Sequence, residues 1–212
     1  MSFKLFFEAI LRQLKSSPFI EVTKAVIHGE PSRFTLEDRD FTLSAELLNF
    51  YTNMDGCDIV WHCDLNQHPT LDRFTEDDER IEGRIQINKL YTLYAPNWKV
   101  INLFEDQFTE LEAQDLRAFR QFDINDDYTR VGFLEERDHF DGTLYFLLED
   151  ADGFSPVPYS FHQYIKNMAK YLGWQAWPYH SFMENEEFDK KVAHYTKQLF
   201  PEDLIKELEK KS

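Results

Sequence analysis

His62, Cys63, Asp64 and His68 are four potential metal ligands close together in the chain. They stand in or just after the apolar run Cys57 to Leu65, which reads as a strand. Strand alternation then puts His62 and Asp64 on one face and Cys63 on the other. No second Cys/His pair completes a closed tetrahedral zinc site. The set reads as a half-exposed strand with an incidental histidine. Asp123-Ile124-Asn125-Asp126-Asp127 resembles the opening of a calcium loop. It lacks the glycine at the sixth position, and Leu134 stands where the bidentate glutamate belongs. His139 lies among Glu135, Glu136, Asp138 and Asp141, a setting that suits a general base. No nucleophile or oxyanion donor is marked beside it, and a solvated hairpin turn accounts for the same residues. Trp174-Gln175-Ala176-Trp177-Pro178-Tyr179 has the composition of a sugar or peptide platform, and equally of a segment closing a core at a helix end. Phosphate loops, dinucleotide fingerprints, nucleophile elbows and H-E-x-x-H motifs are absent from the sequence.

Charge says more than these motifs. The 212 residues carry a formal charge of −16. That opposes nucleic-acid binding, which needs Lys and Arg against phosphate, and it opposes an anionic membrane surface. It favours encounter with a basic protein. Between Glu105 and Asp152 there are fifteen acidic side chains against four basic, a net −11 in under a quarter of the chain. Asp126, Asp127, Glu135, Glu136 and Asp138 interleave there with Phe133 and Phe140, as in an interface with aromatic anchors and a charged rim. A charge run is also what any solvated face looks like.

The elements that must position these residues read as follows. Phe3, Phe6, Phe7, Ile10, Leu11 and Leu14 recur at helical spacing, stopped by Ser16-Ser17-Pro18. Glu21 to His28 alternates as a strand. Thr42 or Ser44 caps a second helix, and Gly56 is its expected left-handed terminator. The strand Cys57 to Leu65 follows. His68 to Gly83 reads as an exposed loop, with Gly83 as the turn into a strand at 84–87. Thr109 and Glu112 form a capping box that predicts a helix to about Gln121. Tyr128 to Leu134 and Thr143 to Leu148 read as strands, the second as a central one buried on both faces. Ser160 and Gln163 form another capping box, for a helix ending at Gly173. A last helical pair carries Phe188, Val192, Tyr195 and Leu199, then Leu204 to Leu208. No repeat or linker divides the chain, so one domain over 1–212 is expected. Helices bracket the strands rather than alternate with them, which predicts an α+β fold. The two cysteines, Cys57 and Cys63, read as buried free thiols. No signal peptide or membrane span is visible, so the cytoplasm is the expected location.

The run Leu43-Ser44-Ala45-Glu46-Leu47-Leu48-Asn49-Phe50-Tyr51-Thr52-Asn53-Met54-Asp55-Gly56, followed by Ile59-Val60-Trp61, resembles the signature of the SUKH superfamily. In that family a helix leads straight into a strand carrying a tryptophan. Tyr159 to Ile165 resembles its later helix, and the likeness covers about residues 35–175. The family's glycine- and aspartate-rich segment before the central strands is missing; Phe122 to Asp126 stands near that place. The resemblance implies a twisted, mostly antiparallel sheet packed by helices, with helical additions at both ends and no cofactor. It also implies a non-catalytic, protein-binding role. Members are similar to immunity proteins that neutralise bacterial toxins, often nucleases, and eukaryotic relatives are cell-wall-assembly regulators. The expected partner is a basic toxin domain, met by Asp126, Asp127, Phe133, Glu135, Glu136, Asp138 and Phe140. A small hydrolase or nucleotide-processing enzyme with its site near His139, and a regulatory scaffold, are the competing readings.

Overall fold

The computed structural model describes residues 2–32, 43–94, 118–125, 129–134, 143–148 and 154–200. Its first helix, α1 (Phe3–Ser16), forms because Phe3, Phe7, Ile10 and Leu14 line one face, and all four are buried. Strand β1 (Glu21–Ile27) follows. In α2 (Ala45–Asn53) Ser44 supplies the cap, its Oγ accepting from the Leu47 amide at 3.4 Å. The helix stops at Met54, which is already extended at φ −161°. Gly56 is therefore not its terminator. The φ of +93° at Gly56 serves the start of the next strand, where a Cβ would strike the Ile87 carbonyl oxygen.

Strand β2 (Cys57–Asp64) alternates as expected, with Cys57, Ile59, Trp61 and Cys63 buried. Cys57 and Cys63 are free thiols on that buried face. Strand β3 (Arg80–Ile87) begins four residues earlier than its apolar run suggests. Gly83 is not a turn. It sits mid-strand opposite Trp61, where a Cβ would lie 2.5 Å from the indole. A short helix, α3 (Leu90–Tyr94), follows. Thr109 and Glu112 lie outside the described residues, but the helix they predict does not reach Gln121. Residues Phe119–Ile124 form β4, because pairing with the next strand outweighs the local helical pattern.

Strands β5 (Thr129–Leu134), β6 (Tyr145–Leu148) and β7 (Phe154–Pro156) complete one seven-stranded antiparallel sheet in which every strand neighbours the next in sequence. Strand β6 is sixth of seven rather than central, yet it does bury both faces. Phe146 joins the main core, while Leu147 packs with Phe119 in a small second cluster. Helix α4 (Phe161–Lys170) starts at Ser160, whose Oγ accepts from the Gln163 amide. It closes through Leu172 and Gly173, both at positive φ. Helices α5 (Trp177–Phe182) and α6 (Glu186–Leu199) follow, the latter capped by Asn185 Oδ1 on two amides. With its helices packed on one antiparallel sheet, the fold is α+β. Among the described residues no helix is long and apolar enough to cross a membrane.

The phenylalanine content finds its use in the core. Rings run in contact from Phe3 through Phe50 and Phe161 to Phe122 and Phe133, with centroids 5.0–5.6 Å apart. Edge-to-face contacts of this kind add to the burial of the rings. Leu47, Tyr51, Trp61, Phe161 and Ile165 all lie in this single core.

The sheet has a seam between β3 and β4, which pair only at Ile87 and Asp123. The rest of the β3 edge is taken by residues 173–175. Arg84 donates its amide to the Gly173 carbonyl at 2.6 Å, and Gln175 donates to Glu82 at 3.0 Å. Asn125 Nδ2 stands at the junction, 3.1–3.2 Å from the carbonyls of Arg84, Gly173 and Trp174. The C-terminal helices are thus stitched into the sheet rather than laid upon it.

Candidate partner-binding surface

Of the residues expected to meet a partner, Phe133 lies in β5, within the half of the sheet formed by β4, β5 and β6. Strand β5 sets its placement. Its alternation turns Val131 and Phe133 into the core. Gly132 lies between them, where a Cβ would strike the Arg120 carbonyl and crowd the Phe119 ring. Phe133 is 1% exposed and packs on Phe122 at 5.6 Å. It is a core residue, and its expected role as an exposed anchor is corrected. The acidic residues after it in sequence suggest a surface, but two-residue alternation with Val131 decides its direction.

Asp126, Asp127, Glu135, Glu136, Asp138 and Phe140 lie outside the described residues, as does His139. In the sequence Asp126 and Asp127 precede β5, and Glu135, Glu136 and Asp138 follow it.

The other acids and histidines singled out by type are spent on the fold. Asp123 is buried and accepts from the Tyr164 hydroxyl at 2.6 Å, and Asn125 holds the seam, so the calcium-loop opening is the end of β4. His62 lies 3.4 Å from Glu21, its partner in the β1–β2 register. Asp64 accepts from the Asn66 amide and the Gln67 side chain. The Gln67 bond leads in holding its carboxyl below the usual range. Cys63 points the other way, into the core. The Trp174 to Tyr179 segment closes the core: Trp174 and Trp177 are buried, with Trp177 stacked on Tyr171 at 5.6 Å.

No family model, curated protein or solved structure matches the chain. The surface must therefore be judged on its own charges and packing.

Sequence reasoning missed one polar centre, in the loop read as wholly exposed. Asp78 is buried there, joined to Lys191 at 2.5 Å and to the Tyr195 hydroxyl at 2.7 Å, and it also accepts from the Thr75 amide. Tyr195 in turn accepts from the Phe74 amide at 3.0 Å. Further along α6, Gln198 donates to the Asp72 carbonyl and accepts from the Asp72 amide. This network clamps α6 onto the 65–79 loop. The signal available was the match of Tyr195 and Lys191, one helical turn apart, to an acid elsewhere.

Proposed function

We propose that this chain is a protein-binding domain of SUKH type, acting as an immunity protein that neutralises a cognate basic toxin domain. The observation that carries the reading is the concentration of charge: a net −11 between Glu105 and Asp152, in the stretch that supplies β4, β5 and β6. A cationic partner, as toxic nucleases tend to be, is drawn to such a field and oriented by it before contact. The motif from Leu43 to Trp61 lends support, since it folds as a capped helix leading directly into a strand whose tryptophan is buried.

The test is co-expression with the toxin-domain gene beside this one, if the genome holds one, followed by purification of the complex and a survival assay. Protection together with a stable complex is the expected outcome. Toxicity undiminished, with no complex formed, rejects the immunity reading.

A further inference from the structure

At the end of the sheet where β1 stops and β2 starts lies an open cleft of about 680 Å³. Lys4 of α1, His28 and Gly29 after β1, Asp55 before β2, and Lys89 and Tyr91 after β3 line it. Its lining sets two lysines and a histidine against two acids, Glu30 and Asp55, in a chain with 39 acidic and 23 basic residues. The Lys4 side chain lies across Gly29, its Nζ 3.0 Å from where a Cβ would stand. Glycine is what leaves room for it. Lys89 and His28 line the same cleft. Among the described residues, neither ammonium nor the His28 ring has a hydrogen-bond or ion-pair partner.

We infer that this cleft binds a phosphate monoester, with Lys4 Nζ, Lys89 Nζ and a His28 ring nitrogen donating to its oxygens. Three donors lining one cleft suit a dianion with three terminal oxygens better than a monovalent carboxylate. Asp55 and Glu30 also line the cleft. One Asp55 oxygen already accepts from the Leu90 amide at 2.9 Å, and Glu30 is exposed to water. Burial, and next the charge of Lys89, lower the His28 pKa against the opposing pull of Asp55 and Asp58. That favours the neutral ring. A dianion held beside it and between Lys4 and Lys89 raises that pKa, so binding takes up a proton as pH falls.

The experiment titrates inorganic phosphate, AMP, adenosine and acetate, at matched ionic strength, into isotope-labelled protein followed by NMR. Phosphate and AMP are expected to move the amides of His28 to Ser32 and Asn88 to Tyr91, with millimolar affinity. Adenosine and acetate are expected to leave them in place. The titration midpoint of the His28 ring protons should rise with AMP, and Lys4→Met with Lys89→Met should weaken binding at least about tenfold. Gly29→Ala, which displaces Lys4 without touching the core, should weaken it less and serves as the folded control. Absence of shifts with phosphate and AMP overturns the site. So does adenosine binding as well as AMP, or unchanged affinity in both the Gly29→Ala and the double variant.

Discussion

Gly83 of β3 lies directly opposite Trp61 of β2, and the Trp61 indole fills the space a Cβ on Gly83 would need. The same indole donates its Nε1–H to the Leu172 carbonyl at 2.8 Å, beyond the end of α4. One side chain therefore joins two strands and the C-terminal helices. Trp61→Ala should cost roughly 3–5 kcal/mol, as large-to-small core changes do. Trp61→Phe keeps much of the burial but orphans Leu172 O, and should cost about 1–3 kcal/mol. Gly83→Ala should cost a similar 1–3 kcal/mol by overpacking. Denaturant unfolding measures all three, and a Gly83→Ala protein as stable as wild type would contradict the packing described.

Asp78 makes the clamp on α6 dependent on pH. Its burial opposes ionisation, but bonds from Lys191, Tyr195 and the Thr75 amide together outweigh that and lower its pKa. A carboxyl with a lowered folded pKa stabilises fully above its unfolded value, about 3.9, and the contribution fades as pH falls through the folded value. No change from this group is expected between pH 5 and 8. Asp78→Asn should flatten part of the acid limb of a stability–pH curve. Tyr195→Phe should cost about 1–3 kcal/mol, leaving Asp78 Oδ2 and the Phe74 amide each short of a partner. An acid limb identical in wild type and Asp78→Asn would remove Asp78 from the account.

Burial pushes both thiols up, Cys57 well above the ordinary range and Cys63 to about 11. The thiolate is the reactive form, so neither should react with a disulfide reagent at pH 8 while the protein is folded. Both should react at once in denaturant. A folded protein that titrates one thiol within minutes would show that β2 opens locally.

Much of this architecture was legible because local pattern and packing agree. The α1 face, the Ser44 and Ser160 caps and the alternation of β2 each follow from a few residues. What escaped depended on distant partners. Gly83 looks like a turn until Trp61 stands across from it, and Phe119 to Gln121 look helical until Gly132 to Leu134 pair with them. Asp78 looks solvated until α6, more than a hundred residues later, brings Lys191 and Tyr195. Phe133 looks like a surface anchor beside its acidic followers until alternation with Val131 turns it into the core. Within the expected surface, only this residue falls among those described.

The acidic residues of the expected surface fall in two groups in the sequence, Asp126–Asp127 before β5 and Glu135–Glu136–Asp138 after it. Screening over about 8 Å at physiological salt confines the field of each charge, while low salt lets the fields of both groups reach an approaching partner. Neutralising all five by Asn and Gln should lower the association rate with a basic partner by one to two orders of magnitude in low salt, on the scale of steered encounters. Dissociation should change much less. At physiological salt the group nearer the interface should account for nearly all of the remaining effect, so comparing the two partial variants locates the contact. Single substitutions should matter little, since exposed pairs contribute roughly 0–1 kcal/mol each. Stopped-flow mixing with the partner across a salt series measures each of these. A five-residue variant that associates at the wild-type rate in low salt would reject steering by this block.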